Sequence, residues 1–269
     1  MSNLKNQRTD SPLLFQVEGS VAKLTLNKPD VSNAFDAELI RLITTAVTTA
    51  EQDKNVRVIV LQANGKHFSA GADLQWMKSM ANENYDYNFA DAKQLAHLMQ
   101  TLNNCSKVTI ARVQGAAYGG AIGLIACCDI VAATADARFC LSEVKLGLSP
   151  AVISPFVIEA IGVRQARRYF LTAERFEAKK ALELNLVHSV FVTETEVDEQ
   201  IQTWCQQVSQ NAPSALLATK HLIKRVSIET DTESISDYTC NLIATLRVAE
   251  EGQEGMSAFF ERRSPNWNG

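Results

Sequence analysis

The sequence is poor in the features that mark several classes of protein. Its 269 residues include only 12 glycines and 6 prolines, which excludes collagen-like and low-complexity chains. An uncharged run at 113–128 contains four glycines and is shorter than the roughly 20 apolar residues of a membrane-spanning helix. The six cysteines form no CxxC pair, so we expect the reduced thiols of a cytoplasmic protein, without a disulfide framework or a zinc site.

Basic residues are not in excess either. The chain has 26 Lys and Arg against 30 Asp and Glu, a formal net charge of -4. Nucleic acids and anionic lipids are bound through clustered positive charge, so neither is an expected partner. The polar N-terminus lacks the apolar core of a signal peptide and the Arg-rich pattern of a transit peptide. We therefore expect a frayed N-terminus on a cytoplasmic protein that binds small molecules or proteins.

What the chain does contain is the composition of a globular protein, with 46% hydrophobic and 21% charged residues. Its length favours one large domain with an appendage. After residue 154 the sequence is mainly helical, and a boundary is predicted near 195–205. The predicted division is a core domain at 1–200 and a C-terminal helical region at 201–269.

Hydrophobic patterning in the first part of the chain predicts strands and a helix. Leu13–Gly19 and Val21–Asn27 alternate apolar and polar residues around a turn, which is typical of a β-hairpin. Ala37–Asp53 places apolar residues at helical spacing, and Val56–Ala63 is a nearly continuous apolar strand. Such strands are buried by helices on both faces of a parallel sheet, so the predicted fold class is α/β.

The middle of the chain repeats this pattern. A polar, helical stretch with Tyr85, Tyr87 and Phe89 is predicted to lead into a helix over Ala90–Leu102. A strand is predicted over Val108–Val113, followed by an apolar helix that ends near Cys127. Short strands follow in the segments DIVAAT and RFCL. Ser154 and Pro155 are expected to begin the next helix, as its N-cap and its first-turn proline.

Two glycine-containing turns, Phe68–Leu74 and Gln114–Leu124, each follow a buried strand and precede a helix. Backbone N–H groups are unpaired at such a position, and two turns that face each other would bind an oxyanion. The alternative is tight packing of each strand against its helix, which is the commoner use of glycine. Neither turn matches the Walker or GxGxxG pattern, so phosphate binding of that kind is not expected.

A resemblance that covers essentially the whole chain rests on five segments: NKPDVSNAF, HFSAGADL, QGAAYGGAIGLIACCDI, FCLSEVKLGLSP and EGMSAFFERRSPNW. In order and spacing they resemble the enoyl-CoA hydratase/isomerase (crotonase) superfamily. The resemblance implies a crotonase-like α/β fold of repeated β-β-α units with a C-terminal helical oligomerisation region. FSAGADLQWMKSM and LGLSPAVISPFVIEAIG are further similar to bacterial methylglutaconyl-CoA hydratases.

This resemblance implies a catalytic site for a coenzyme A thioester. The backbone N–H groups of Ala72 and Gly120 would form an oxyanion hole for the thioester oxygen, where enolisation places negative charge. Glu143 matches one of the two glutamates that family hydratases generally carry, and its apolar neighbours would raise its pKa. Gly123 occupies the position of the other glutamate. An isolated Glu is most often solvent-facing, so only the resemblance singles out Glu143.

A single glutamate is compatible with two reactions. One carboxylate can deprotonate water and return a proton to the α-carbon, and the family's Δ3,Δ2-enoyl-CoA isomerases also use one glutamate. We expect Gly123 to leave room for a 3-methyl branch or a water molecule. The segment 151–156 replaces a Gly-Gly-Thr-Gln stretch of many members, so their acyl-chain preference does not carry over.

The implied coenzyme A contacts are mostly made by the main chain, with one basic side chain for a phosphate. The substrate-binding candidates are Lys28, Ala34, Ala70, Asp73, Leu74, Trp76, Phe259 and Arg262. Phe259 and Arg262 match a segment that in the family often reaches a neighbouring active site, although a solvated helix face is the alternative. Leu74 and Trp76 would line the acyl pocket, but an apolar helix stripe is more often plain core.

Neither a metal nor a resident cofactor is expected, because coenzyme A belongs to the substrate. The four histidines have no ligand spacing with one another. His67 lies beside the first turn without a paired nucleophile, and we predict a structural role for it. Lys78, Tyr118 and Ser154 are candidates to hold a distal carboxylate of the substrate.

The resemblance favours a lyase that adds water to 3-methylglutaconyl-CoA and forms 3-hydroxy-3-methylglutaryl-CoA in leucine degradation. The alternatives are a Δ3,Δ2-enoyl-CoA isomerase and a general enoyl-CoA hydratase. A non-catalytic acyl-CoA binder or an RNA-binding protein is a further alternative, and the net negative charge argues against RNA. The resemblance also implies a homotrimer or a homohexamer.

Overall fold

The computed structural model describes residues 10–268, so the prediction for the N-terminus lies largely outside the described residues. The strands are β1 (Leu13–Glu18), β2 (Val21–Leu26), β3 (Val58–Ala63), β4 (Val108–Val113), β5 (Ala116–Tyr118), β6 (Ile130–Thr134), β7 (Arg138–Cys140), β8 (Phe176–Glu177) and β9 (Ser189–Phe191). The helices are α1 (Ala37–Gln52), α2 (Leu74–Met80), α3 (Tyr85–Asn103), α4 (Gly120–Ala126), α5 (Ser154–Thr172), α6 (Ala178–Glu183), α7 (Glu194–Ser209), α8 (Pro213–Ile228), α9 (Thr232–Val248) and α10 (Glu250–Glu261).

The larger sheet has six strands in the order β1-β2-β3-β4-β6-β9. β1 and β2 form the predicted hairpin, with Leu13 opposite Leu26 and Gly19 in the turn at a φ of 58°. The remaining neighbouring pairs are parallel, and Val21 of β2 lies beside Val58 of β3. Parallel strands need a crossover connection, which α1 provides between β2 and β3 and α3 between β3 and β4.

The smaller sheet has the order β5-β7-β8. It forms because strands that follow one another in the chain join different sheets. β4 pairs with β6 in the larger sheet, whereas β5 pairs with β7 in the smaller one. The units β4-β5-α4 and β6-β7-α5 therefore each supply one strand to each sheet, whereas β1 and β2 both belong to the larger sheet. The expected repeat of β-β-α units and the α/β class are confirmed. A parallel bridge between Ser69 and Ala117 adds the first glycine turn to the edge of β5.

The hydrophobic core surrounds the larger sheet. All six residues of β4 are buried, and because side chains alternate across a strand, both of its faces are covered. On α1, Leu39, Ile43 and Val47 are buried at the spacing of an amphipathic helix. This double covering explains why the central strands are almost continuously apolar in sequence.

One charged side chain is buried in β4. Arg112 donates hydrogen bonds to Asp198 at 2.6 Å and Glu194 at 2.9 Å, both on α7, and to Gln114 at 3.1 Å. A buried guanidinium is tolerated only when its donors are paired in this way. The network attaches the first half of α7 to the sheet.

Side-chain hydrogen bonds form at the starts of two helices. α3 begins at Tyr85 and includes the predicted helical stretch, because the Asn84 side chain caps it by accepting a hydrogen bond from the Tyr87 N–H at 2.9 Å. Ser154 is the first residue of α5 and not its N-cap. The Ser154 hydroxyl instead donates a hydrogen bond to the Ala151 carbonyl oxygen at 2.8 Å.

The chain divides into two compact units within α7, between Thr203 and Trp204. The assignment of 1–200 and 201–269 as separate domains stays a prediction. In the second unit, helices α8 to α10 expose large apolar side chains, namely Ile223, Ile228, Val248, Phe259 and Phe260. A trimer or hexamer formed through these helices stays a prediction. None of the helices within residues 10–268 is both long and apolar enough to cross a membrane.

Candidate active site

Main-chain hydrogen bonds join the two glycine turns. The Phe68 N–H donates to the Gln114 carbonyl oxygen at 2.8 Å, and the Tyr118 N–H donates to the Ser69 carbonyl oxygen at 3.0 Å. Gly71 has a φ of 95°, and a Cβ at this position would lie 3.1 Å from the Tyr118 carbonyl oxygen. Glycine therefore permits both the backbone conformation and the close approach of the second turn.

These turns place two unpaired N–H groups on one cavity. Ala72 follows Gly71, and Gly120 is the first residue of α4, after Gly119 with its φ of 53°. Within residues 10–268, neither the Ala72 N–H nor the Gly120 N–H has a hydrogen-bond acceptor. Both residues line the same cavity, whose volume is about 220 Å³. Two unpaired main-chain donors of this kind can accept a negatively charged oxygen, and the oxyanion role of Ala72 and Gly120 stays a prediction.

Asn33 fixes the first turn, and sequence reasoning missed it. Its side chain is fully buried; it donates hydrogen bonds to the carbonyl oxygens of Asn64 at 2.9 Å and His67 at 2.8 Å, and accepts one from the Lys28 N–H at 2.7 Å. Its φ of 53° lies in the left-handed region, which asparagine tolerates better than most residues. That preference of asparagine for turns was the available signal.

His67 has the structural role that was predicted. Its Nδ1 accepts a hydrogen bond from the Ala116 N–H at 3.0 Å, which links the first turn to β5. Because this nitrogen is committed as an acceptor, His67 does not present it as a general base.

Glu143 begins a short 3₁₀ turn, Glu143–Leu146, that follows β7. Its side chain lines the cavity beside Ala72 and Gly120, and its Oε2 atom is buried without a hydrogen-bond partner. A Cβ on Gly119 would lie 3.2 Å from the Glu143 Oε1 atom, so glycine leaves the space that this carboxyl group uses. The carboxyl group is thus held in the cavity by packing, with an unpaired oxygen available to a ligand.

Burial raises the pKa of the Glu143 carboxyl group, and a backbone hydrogen bond opposes the rise. The direction of the shift was predicted, but its cause was only partly correct. Of the apolar sequence neighbours, Leu141 is buried, whereas Val144 and Leu146 are exposed. The desolvation therefore comes from the cavity walls and not mainly from the residues next to Glu143 in the chain.

The rest of the cavity wall is mostly apolar. Lining residues include Phe35, Ile40, Leu95, Val152 and Ile153. Among the described residues that line it, Glu143 is the one charged side chain, and Ser149 and Trp76 are the polar ones. Lys78, Tyr118 and Ser154, the candidates for holding a substrate carboxylate, do not line it.

Trp76 lines the cavity as predicted, and its indole N–H is buried without a hydrogen bond of normal geometry. It lies close to Asp91 of α3. Burial raises the pKa of the Asp91 carboxyl group, and the nearby Trp76 opposes this rise. Asp91 does not line the cavity, so it does not supply a second carboxyl group to the site.

The prediction that Gly123 leaves room for a methyl branch or water is wrong. Gly123 is buried in α4 and does not line the cavity. A Cβ on Gly123 would overlap the Ile153 side chain, with Ile153 Cβ at 2.8 Å and Met99 Cε at 3.1 Å. Ile153 already fills the space, so Gly123 is not a catalytic position. No local signal in the sequence could reveal a contact between residues 30 positions apart.

Lys28 is engaged within the protein. Its Nζ atom lies 2.5 Å from Asp36 Oδ2 and 3.4 Å from the Ala34 carbonyl oxygen. Burial opposes the shift, but the hydrogen bonds from Lys28 and the Leu39 N–H lower the pKa of Asp36. Lys28 would have to exchange this partner, or share it, to bind a phosphate.

The other candidates for main-chain contacts with coenzyme A differ in their exposure to solvent. Ala34 is buried, whereas Ala70 is exposed and uses its N–H in a hydrogen bond to the Ser32 carbonyl oxygen at 2.9 Å. Asp73 is the N-cap of α2 and accepts hydrogen bonds from the N–H groups of residues 75 and 76. Its side chain therefore positions α2.

Leu74 is neither core nor cavity wall. Its side chain is 81% exposed and does not line the cavity, because it is on the outer face of the first turn of α2. Phe259 and Arg262 belong to the second compact unit. Phe259 is 79% exposed, and Arg262 ends α10 in the left-handed conformation at a φ of 55°. Their proposed contacts with substrate stay predictions.

Three or more histidine, cysteine, aspartate or glutamate side chains in one group could hold a metal ion. Within the described range, no three of them are placed together to do so. The residues that line the cavity supply one carboxyl group, two main-chain donors and an apolar wall.

Comparisons with known proteins agree with this geometry. The profile of the enoyl-CoA hydratase/isomerase family matches residues 16–269. The 2,3-dehydroadipyl-CoA hydratase of Escherichia coli is 31% identical over 261 residues, which are 96% of this chain and 99% of that protein. The peroxisomal Delta(3,5)-Delta(2,4)-dienoyl-CoA isomerase of Arabidopsis thaliana is 28% identical over 260 residues, 93% of each chain.

A solved structure extends the likeness to the fold. The crystal structure of an enoyl-CoA hydratase from Shewanella pealeana is similar with a TM-score of 0.93 and 45% identity, and the match covers 96% of both chains. The sequence profile, the relatives and the fold all point the same way, so the chain belongs to the enoyl-CoA hydratase/isomerase family, the crotonase superfamily.

Proposed function

We propose that the protein adds water to the double bond of a short enoyl-CoA thioester, with 3-methylglutaconyl-CoA as the substrate. One observation carries the proposal: Glu143, whose Oε2 atom is buried and unpaired, lines the same cavity as Ala72 and Gly120, whose main-chain N–H groups are unpaired. An acid-base group and an oxyanion site that share one cavity are what hydration of a conjugated thioester requires.

In the proposed reaction, the N–H groups of Ala72 and Gly120 donate hydrogen bonds to the thioester oxygen. Attack at the β-carbon moves electrons toward this oxygen, so the two bonds strengthen as negative charge develops. Loss of one such donor typically slows an enzyme by about 100-fold to 1000-fold. Both donors are main-chain groups, so a side-chain substitution at Ala72 would act through shape.

Glu143 would transfer the proton from water to the substrate. As the water oxygen bonds to the β-carbon, the carboxylate removes one water proton, and an enolate forms at the oxyanion site. The same proton is then returned to the α-carbon, which restores both the thioester and the carboxylate. Burial makes Glu143 a stronger base, because its raised pKa lies closer to the pH at which the reaction runs. These steps need no resident cofactor.

The size of the cavity supports a short acyl group. Its volume of about 220 Å³ is below that of most ligand pockets, which enclose roughly 300–1,000 Å³. The choice of 3-methylglutaconyl-CoA rests on the likeness of two segments to methylglutaconyl-CoA hydratases. The distal carboxylate of 3-methylglutaconyl-CoA would find two uncharged polar residues in the cavity lining, Ser149 and Trp76. The uncharged 3-methylcrotonyl-CoA is therefore the matched comparison substrate.

Isomerisation is the second candidate, because the cavity holds a single carboxyl group and one relative is a dienoyl-CoA isomerase. Here Glu143 would carry a proton between two carbons of the acyl chain, with no change of mass.

The test follows product mass and double-bond position with 3-methylglutaconyl-CoA, 3-methylcrotonyl-CoA and a linear 3-enoyl-CoA. A gain of one water on the first substrate supports the proposed hydratase. An unchanged mass with a moved double bond would instead establish the isomerase. Glu143→Gln is the control for both reactions, since it keeps the shape of the side chain and removes the base.

A non-catalytic acyl-CoA binder gives a third outcome. It would show neither product, and Glu143→Gln would leave the affinity for the thioester unchanged. An enzyme of either kind should lose turnover in Glu143→Gln and retain affinity.

A further inference from the structure

Ile153 occupies the space next to Gly123 that a larger residue at position 123 would need. A Cβ added to Gly123 would overlap the terminal Cγ2 of Ile153, and it would lie 2.8 Å from Ile153 Cβ. The third neighbour, Met99 Cε at 3.1 Å, is the end of a flexible side chain and can move. The constraint at this position therefore comes from Ile153.

Both the side chain and the backbone of Ile153 are fixed in position. Its side chain is 2% exposed, and as a β-branched residue it has few alternative rotamers. Its carbonyl oxygen accepts a hydrogen bond from the Val157 N–H at 3.1 Å, which fixes the backbone at the start of α5. One face of the side chain packs over Gly123, and another lines the cavity that contains Glu143.

We propose that Ile153 is the residue that limits the length of the acyl group. Gly123 leaves the space that the Ile153 side chain occupies. This inference rests on the proposed function, because it assumes that the cavity holds the acyl part of a coenzyme A thioester. Gly123 acts indirectly: a side chain at this position would push Ile153 into the cavity, and the cavity would become smaller.

The proposal predicts opposite effects for two substitutions. Ile153→Ala removes three carbon atoms from the wall and opens space for a longer acyl chain. Each methylene that becomes buried strengthens binding about fourfold, so two additional methylenes should strengthen it roughly 15-fold. Gly123→Ala alone should weaken binding of every acyl chain, because Ile153 must move. Gly123→Ala added to Ile153→Ala should reverse part of the gain by refilling the opened space.

The experiment measures the binding of butyryl-CoA, hexanoyl-CoA and octanoyl-CoA by calorimetry. These saturated thioesters are not hydrated, so the measurement does not depend on turnover. The matched control is Val157→Ala, which truncates a buried side chain one turn further along α5 that does not line the cavity. Ile153→Val removes a single carbon and provides a milder variant if Ile153→Ala does not fold.

We expect the ratio of hexanoyl-CoA to butyryl-CoA affinity to rise roughly 15-fold in Ile153→Ala, by a smaller factor in Ile153→Val, and not at all in Val157→Ala. The same ratio in Ile153→Ala and Val157→Ala would overturn the proposal for Ile153. If the wild-type protein hydrates an enoyl-CoA while the ratio stays constant, only this inference fails. If the wild-type protein binds none of the thioesters, the proposed function and this inference both fail.

Discussion

Replacement of Glu143 by glutamine tests the central assignment, because the change keeps the size of the side chain and removes its proton chemistry. Among the described residues, Glu143 is the one charged group that lines the cavity, so no other lining side chain can replace it as the base. General acid-base catalysis contributes about 100-fold to 10,000-fold to a rate, equivalent to about 2.7–5.5 kcal/mol of barrier. We expect turnover of Glu143→Gln to fall within that range.

The same substitution should change stability in a pH-dependent way. Burial raises the folded-state pKa of Glu143 above its ordinary value of 4.5. Below pH 4.5 the carboxyl group is protonated in both the folded and unfolded states, and it carries no charge penalty. As the pH rises through the folded-state pKa, the folded protein must hold a desolvated carboxylate, so the wild type loses stability relative to Glu143→Gln.

The expected gain of Glu143→Gln at neutral pH is about 1 kcal/mol. An unpaired buried acceptor costs about 1–3 kcal/mol, but glutamine keeps part of that cost and the Glu143 side chain is only half-buried. For a chain of this size, 1 kcal/mol corresponds to about 2–4 °C in Tm. The gain should shrink toward zero as the pH falls to 4.5.

The assay measures the Tm of the wild type and of Glu143→Gln between pH 4 and pH 8. The turnover of both proteins is measured on the same substrate. A difference in Tm that is constant across this range would show that the Glu143 carboxyl group is not desolvated. Retention of more than about one tenth of wild-type turnover would show that another group acts as the base.

Three further substitutions test the groups that position the site. Asn33→Ala removes a fully buried side chain with three hydrogen bonds, so it should lower the free energy of unfolding in denaturant by about 2–4 kcal/mol. A loss below about 1 kcal/mol would contradict the role of Asn33 in fixing the first turn. Asp73→Ala removes the cap of α2 and should cost about 1 kcal/mol in the same assay, whereas Asp73→Asn should retain most of the stability. Lys28→Met should raise the KM for the thioester and weaken its dependence on salt, and an unchanged KM would show that Lys28 serves only its ion pair with Asp36.

Much of the fold followed from local patterns. The alternation around Gly19 predicted the hairpin, and the apolar run at 108–113 predicted β4 with the bounds that the structure shows. α1 also follows its predicted range to within one residue. These elements could be predicted because the period of the apolar residues depends only on neighbours along the chain. The helical stretch at the start of α3 was also predicted, although its first residue is set by the cap at Asn84 and not by apolar periodicity.

The candidate site was predictable to a smaller extent. The resemblance pointed to Ala72, Gly120 and Glu143, and the structure brings all three onto one cavity. The cap formed by Asp73 could have been read from an aspartate just before a helix, which is a common N-terminal signal. Leu74 was misplaced because the direction of its side chain depends on how α2 packs.

The sequence by itself determined the alternation of strands and helices and the two glycine turns, and its resemblance to the family made Glu143 the candidate for acid-base chemistry. Only the tertiary structure decided that Glu143 is desolvated, that Lys28 is held by Asp36 and that Ile153 fills the space beside Gly123. Turns and periodicity depend on local backbone geometry. Desolvation and steric exclusion depend on which distant segments share a volume, and that is set when the sheets and helices pack.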